Sequence, residues 1–525
     1  MEKTKTSDLD PNVAQTLLKY LRQNEYIAIV GKKDNTDPAA TDTNNPYGTP
    51  EKPRLTWPYP LGAGAAVQVH GGPYVFSNSS GKMIAGGPGT LEKPIFIYGT
   101  TNDPEAMPKV TRPDVITYGN NLIVERLRFD SGCRVDTRSD LKQAQVINVC
   151  VRDCYFFGTG VPTTGSAMGL GKSSNTAATA VRNFLFLRNT VQNYGDWQGD
   201  TESDVHGFTA GAHCYNIWVL DCHIFHMGGD SVQLGTSQAA QAPPCGPFYI
   251  GRNRFHHNRE NAIDIKQVVD VVMSENVMED FAETDSSAGE ALVVHYAAEN
   301  IWIINNLISR SERGITSTGI NGVCYVIGNI VHNCSEYGMY LTRGGGTFYV
   351  YNNTVDSCAN GMITSGAVDA LHYKNNIVSN VSSSSGYHLQ ISDPVIAGRS
   401  TASTFLFFQP SGSIRLRWGD GSFSSASSWI STTGQGTGST LQDPKYAMVA
   451  EGNYHLLSGS PAIDAGVDAS SYNTVFQNRF GIAFTADMDG HPRPIGPKWE
   501  IGADEYAPAG TVPPKAPANL RVVEP

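Results

Sequence analysis

Apolar residues along the middle of this chain come in short runs. Ile217-Trp-Val-Leu, Val271-Val-Met, Ile301-Trp-Ile-Ile and Tyr325-Val-Ile open successive units. Each run is followed by an asparagine turn and a second short apolar run. A polar, Gly-containing turn then leads to a third: Ser231-Val-Gln-Leu, Ala262-Ile-Asp-Ile, Ala291-Leu-Val-Val, Gly314-Ile-Thr-Ser, Gly338-Met-Tyr-Leu or Gly361-Met-Ile-Thr. Runs rich in Val, Ile and aromatics and bounded by Gly, Asn and Ser read as short strands. Helical spacing of apolar residues is almost absent between 60 and 400.

The turn between the first two strands carries the repeat. Asn-x-apolar occurs at Asn189, Asn253, Asn276, Asn306, Asn329, Asn353 and Asn376, and from Asn253 the spacings are 23, 30, 23, 24 and 23 residues. Such a period, with three short strands per unit, predicts the stacked coils of a parallel β-helix. It is too short for the four-stranded blade of a propeller. Stacked at one bend, each asparagine amide can donate and accept along the ladder, satisfying groups that a buried turn would otherwise orphan. Cys154 and Cys222 fall in the same slot of two coils, where a small buried residue also fits.

The period runs through so much of the 525 residues that one long solenoid is expected, rather than the several domains length alone would allow. Residues 25–384 are assigned to it. A solenoid needs capped ends. Within residues 1–24, Leu9 to Asn24 reads as a helix, with Asp10 as N-cap, Pro11 at the first helical position, and Val13, Leu17 and Leu21 on one face. It is expected to plug the first coil. From 385 the repeat decays into Ser/Gly/Thr-rich sequence, so residues 385–510 are read as irregular C-terminal coils and loops packed on the helix. The expected fold is therefore an all-β parallel β-helix with an N-terminal capping helix.

A net charge of −11 and the absence of a basic run argue against nucleic acid or an anionic membrane as partner. No stretch approaches the ~18 apolar residues of a membrane span. Met1–Asp10 carry no apolar leader. The expectation is a monomeric, secreted or periplasmic protein whose leader has been removed. Of the nine cysteines, Cys334 and Cys358 share a column in adjacent coils, where a disulfide is geometrically conceivable. Small buried residues in stacked slots are the expected reading.

The coils from about 182 to 380 resemble those of the right-handed β-helix superfamily of pectate lyases and related polysaccharide-active enzymes. Gly89-Thr-Leu-Glu-Lys-Pro-Ile-Phe-Ile-Tyr-Gly resembles their early-coil phrase. Ser460-Pro-Ala-Ile-Asp-Ala-Gly, Asp487-Met-Asp-Gly-His-Pro-Arg-Pro and Ile501-Gly-Ala-Asp-Glu-Tyr resemble a C-terminal signature of bacterial secreted β-helix proteins. In residues 511–525, the segment from Pro513 resembles a linker and the opening strand of a fibronectin type III module, which implies that the native protein continues.

The repeat also works as a ruler. Aligning the third strands on Phe208, Val232, Ile263, Leu292, Ile315 and Met339 brings Thr209, Gln233, Asp264, Val293, Thr316 and Tyr340 into one column. Gly211, Gly235, Lys266, His295, Thr318 and Thr342 form another. Neighbouring coils lie about 4.8 Å apart, and alternation points both columns outward. The turn entering these strands contributes His206, Asp230, Asn261, Glu290, Arg313 and Tyr337. The outer face is uneven: Asp230, Asp264, Lys266, Glu290 and His295 gather, flanked by His206 and Arg313, with Tyr340 and Arg343 to one side. The insertion Asn193 to Val205 is acidic and aromatic, and is expected to wall the groove, offering Trp197 or Tyr194 to sugar rings. Gln233 and Tyr296 complete the substrate-binding candidates. His223, His226, His256 and His257 follow the asparagine turn and are assigned to a different sheet as surface or ladder residues.

This chemistry points to a lyase acting on a uronic-acid polymer, which needs a base, an acid for the leaving oxygen and a positive group beside the substrate carboxylate. Lys266 resembles the base lysine of the Ca²⁺-dependent β-helix lyases. By that resemblance Asp230 and Asp264, with Glu290 or Asp204, would hold Ca²⁺. Arg313 would hold the substrate carboxylate, while His295 would act as acid or replace Lys266 as base. The alternatives are a glycoside hydrolase using two carboxylates among Asp230, Asp264 and Glu290, and a non-catalytic glycan-binding or tailspike-like protein.

Overall fold

The computed structural model describes residues 28–31, 40–45, 48–49, 51–55, 60–74, 82–111, 114–130, 134–137, 145–161, 166–171, 176–199, 203–236 and 245–508. The helix expected at Leu9 to Asn24 and the module expected from residue 511 lie outside them. The chain is an all-β parallel β-solenoid, and its described residues form two compact units, those up to Ile263 and those from Asp264 on.

In the first unit, third strands pair in parallel so that Val135, Met168, Phe208 and Val232 stand one above another. All four are buried. The second strands stack Phe129, Phe156, Val191, Ile224 and Phe255 in the same way. Phe156, Phe186 and Phe208 interlock across the interior at ring separations of 5.7 and 5.4 Å. The apolar columns are thus continuous stacks, and burying them is the main favourable term in the solenoid's stability.

In the second unit the third strands align Leu292, Ile315, Met339, Met362, Leu389 and Leu416. Val293, Thr316 and Tyr340 pair in one column, and Glu290, Arg313 and Tyr337 in another, which is the register that the period dictates. The ladder continues past residue 384 through the strands Leu389–Ile391, Thr401–Phe408 and Leu416–Trp418. Trp429, from the helix Ala426–Thr433, packs on Phe405, Phe407 and Trp418.

The asparagine ladder lies inside. The backbone N–H and Nδ2 of Asn276 both donate to Oδ1 of Asn306 at 3.0 Å, and those of Asn306 to Asn329 at 2.9 Å. Asn329 repeats the pattern on Asn353 at 3.0 Å. Asn306 and Asn329 also donate from Nδ2 to the carbonyls of Met273 and Ile303. In the first unit asparagine alternates with cysteine: Cys154 N–H donates to Asn189 Oδ1, Asn189 N–H to Cys222 Sγ, and Cys222 N–H to Asn253 Oδ1. The preceding residue is left-handed in each coil, with φ between 50° and 56° at Asp153, Arg188, Asp221, Arg252, Glu275 and Asn305. A glycine, Gly328 at φ 70°, fills that position in one coil. Such backbone costs free energy for a residue with a Cβ, which the side-chain ladder offsets.

The described cysteines are buried and form no disulfide among the described residues. Cys334 N–H points at Cys358 Sγ at 3.4 Å as a ladder contact. Burial pushes the Cys150 and Cys222 thiols up to about 12, so they act as small apolar residues.

Beyond the last parallel strand, the chain of the second unit turns back along its own coils. Phe476 and Phe480, from the helix Ser471–Phe480, pack edge-on to Trp302, and Arg479 Nε donates to Asp270 at 2.9 Å. Asn352 Nδ2 donates to the Glu500 carbonyl, and Ala503 N–H to Thr354 Oγ1, both at 3.0 Å. The segment thereby pairs with left-handed turns that would otherwise face water. Among the described residues no helix is long and apolar enough to cross a membrane.

Candidate active site

The strands Ile263–Lys266 and Glu290–His295 build the centre of the candidate site in the second unit. Asp264 Oδ1 lies 2.5 Å from His295 Nε2, and Oδ2 lies 2.8 Å from Lys266 Nζ. One carboxylate therefore holds an imidazole and an ammonium together. Alternation turns Asp264 outward, yet it is only 4 % exposed, because the two partners cover it. A carboxylate facing Nε2 places the imidazole proton there. His295 Nδ1 makes no hydrogen bond to a described residue. Tyr296 packs on the His295 ring with centroids 4.2 Å apart and is itself 46 % exposed. Its φ of 56° turns the chain away after the strand and leaves the ring as a platform.

Arg313 lies farther along the ladder. Its Nε donates to Glu336 at 2.5 Å and its Nη1 lies 3.5 Å from Glu290. The guanidinium stacks over Tyr337 and Tyr340 at 5.6 and 5.4 Å, and those rings stack on each other at 4.5 Å. The expected substrate clamp is thus already paired with two carboxylates. Tyr337, which completes this clamp, opens the strand Tyr337–Leu341 and pairs with Arg313, while Glu336 lies in the turn just before it. Burial raises the Glu290 carboxyl above its ordinary value, against the pull of Arg313 and of donors from Ser287 and Ala288. Those donors fold the Glu283-to-Gly289 turn onto Glu290. Arg343 is exposed beside this ladder.

The first unit holds a separate group. His206 is buried between Asp204, 3.0 Å from Nε2, and Asp230, whose Oδ2 is 3.3 Å from Nδ1. The Asp230 N–H also points at Nδ1, at 2.9 Å, and that contact asks for a lone pair where the carboxylate asks for a proton. Two anions outweigh one amide dipole. Burial opposes the charge, but the carboxylates raise the imidazole pKa to about 10. His206 is thus a cation clamped by carboxylates, which is no state for a base. Asp230 is fully buried and accepts from Asn261 N–H, Asn261 Nδ2 and Gln233 Nε2.

These contacts do not fit the expected Ca²⁺ cage. Asp204 and Asp230 address opposite nitrogens of one imidazole, which fills the space between them. Both oxygens of Asp264 are engaged by Lys266 and His295. The Asp204, His206 and Glu260 donors approach within 4.8 Å, but that set brings a nitrogen that Ca²⁺ does not favour.

The aromatic wall is also differently placed. Tyr194 is buried at the end of the strand Thr190–Tyr194 and offers no face to a sugar. Trp197 stacks flat on His226 at 3.9 Å, with His257 at its edge. It lines an open cleft of about 510 Å³ with Arg128, Asp130, Phe157, Asn193 and Asp196. His223 and His256 meet through their Nε2 atoms at 2.8 Å, and their strands pair in the sheet of the first and second strands, not that of the third.

A family described as right-handed beta helix region matches residues 210–382. The chain has the right-handed parallel β-helix fold. It is similar to a pectate lyase at 11 % identity, over 92 % of this chain and 97 % of that one, with a TM-score of 0.42. A PL6-family alginate lyase shares 13 % identity over 76 % of this chain and 53 % of its own, with a TM-score of 0.46. A rhamnogalacturonan lyase shares 15 % over 62 % and 82 %, with a TM-score of 0.39. No curated protein matches the sequence.

Proposed function

We propose that the protein is a polysaccharide lyase that cleaves a uronic-acid-containing polymer by β-elimination. One observation carries the reading: Asp264 holds His295 Nε2 and Lys266 Nζ on its two oxygens, at 2.5 and 2.8 Å. This puts a base lone pair and an ammonium side by side, as elimination next to a carboxylate requires.

In this mechanism His295 Nδ1 takes the proton from the carbon beside the substrate carboxylate. The electron pair left behind becomes the new carbon–carbon double bond, and the glycosidic carbon–oxygen bond breaks. Lys266 gives its proton to the leaving oxygen. Asp264 fixes the imidazole tautomer and steadies the imidazolium that forms, as an orienting carboxylate does in other histidine-based sites. Tyr296 and Tyr340 offer ring faces to sugars, and Arg343 an exposed charge to their carboxylates. Such polymers are met outside the cytoplasm, and the protein acts there or in the periplasm, as a monomer.

The raised carboxyl of Glu290 supports a second reading, a glycoside hydrolase with Glu290 as general acid. Its engagement with Arg313, Ser287 and Ala288 weighs against it.

The test is incubation with polygalacturonate, alginate and glycosaminoglycans, following ultraviolet absorbance of the unsaturated product and the release of reducing ends. A lyase raises both. Reducing ends without absorbance identify a hydrolase, and binding without cleavage a glycan-binding or tailspike-like protein.

A further inference from the structure

The returning C-terminal segment gathers a second cluster of chemistry-bearing side chains within the second unit. One donor atom each from His455, Asp489 and Asp504 lies within 4.8 Å of the others, and the same holds for Asp487, Asp489 and His491. We propose that His455, Asp489 and Asp504 bind one divalent transition-metal ion of the Zn²⁺ class, with Asp487 and His491 as the adjoining donors.

The local hydrogen bonds prepare His455 as a ligand. Asn453 Oδ1 accepts the His455 backbone N–H at 3.1 Å, which identifies it as the amide oxygen, and it lies 2.6 Å from His455 Nδ1. One proton therefore sits on Nδ1, and Nε2 faces Asp489 Oδ2, 2.8 Å away, in an ion pair when it too is protonated. Two electron-rich atoms at that distance need a positive species between them, and a metal ion competes with a proton for the place. An imidazole whose second nitrogen donates to an oxygen acceptor is the usual arrangement of a metal-bound histidine.

Asp504 is an independent sign. It is 8 % exposed, its Oδ2 accepts the Leu456 N–H at 2.7 Å, and its Oδ1 makes no hydrogen bond to a described residue. A largely buried carboxylate beside a histidine and a second carboxylate is stabilised when a cation joins it. Behind it, His491 Nδ1 is enclosed without a hydrogen bond and lies 3.4 Å from Asp487 Oδ2. Asp487 is itself fixed by the N–H groups of Asp489, His491 and Glu505. A donor set of imidazole and carboxylates favours Zn²⁺ over Ca²⁺, which prefers oxygen alone. The ion would join three segments that are remote in sequence: the strand Asn453–Leu456, the 487–491 turn and the stretch at Asp504. Its effect is to tie these three stretches of the returning segment to one another.

The experiment uses the full chain after treatment with chelator and desalting. Zn²⁺, Mn²⁺ and Ca²⁺ are titrated by calorimetry, with melting temperature followed in parallel. One Zn²⁺ per chain and a raised melting temperature are expected, with Ca²⁺ at least tenfold weaker. The His455 and Asp489 side chains are 52 % and 40 % exposed, so the double variant His455→Ala/Asp489→Asn keeps the fold. It is expected to lose Zn²⁺ affinity at least tenfold, together with the melting shift, while His295→Gln keeps both. Absence of saturable Zn²⁺ binding overturns the proposal, as does undiminished binding by the double variant or equal affinity for Ca²⁺. None of these readouts depends on lyase activity.

Discussion

Asp264 and His295 stand on strands of successive coils with Oδ1 2.5 Å from Nε2, a contact that fixes which nitrogen of the imidazole carries the proton. If His295 is the base, His295→Gln lowers kcat by about 10²- to 10⁴-fold, the usual worth of a general base. Asp264→Asn is expected to lower kcat with little change in KM, because Asp264 acts through its two partners. Steady-state rates on the polymer cleaved in the ultraviolet assay check both. Unimpaired turnover by His295→Gln removes it from the mechanism.

Lys266 separates charge from proton donation. Arginine keeps the charge but cannot release a proton at neutral pH. Both Lys266→Ala and Lys266→Arg are therefore expected to abolish turnover while leaving the melting temperature near that of the parent. Substantial activity in Lys266→Arg would reduce the lysine's part to electrostatics.

The asparagine ladder should be expensive to interrupt. Asn329 accepts from Asn306 and donates to Ile303 and Asn353. Asn329→Ala leaves buried donors without acceptors, at a cost of roughly 1–3 kcal/mol for each orphaned group. The exposed Asn321, whose backbone is not left-handed, is the control, with Asn321→Ala within about 0.5 kcal/mol of the parent. Denaturant midpoints compare the two.

Acid should weaken the second unit through its buried histidines. His388 is buried, and its Nδ1 accepts the Arg415 N–H, which an imidazolium cannot do. Desolvation lowers its pKa to about 4, and that of His332 likewise. Because the folded values lie below the ordinary 6.5, the contribution is complete above pH 6.5 and is lost as pH falls through about 4. Each residue accounts for on the order of 3 kcal/mol across that window. Melting curves from pH 7 to 4 are expected to fall less steeply for His388→Gln.

The spacing of asparagines determined the coil and its register. Parallel strands pair through backbone groups, and a residue that must meet its own kind in the next coil holds the ladder in step. Glu290, Arg313 and Tyr337, and Val293, Thr316 and Tyr340, therefore stand in the columns that counting predicts. The same count put His223 and His256 on another sheet. Tertiary structure alone decided which side chains join. Asp264 takes both Lys266 and His295, Arg313 turns to Glu336, and Trp197 lies on His226, because long side chains and the 193–205 insertion follow no period. His455, Asp489 and Asp504 meet only because the chain doubles back over its own coils. A repeat specifies where the backbone stacks. The charges it carries, and the segments that return across it, settle by three-dimensional packing and electrostatics that no one-dimensional spacing records.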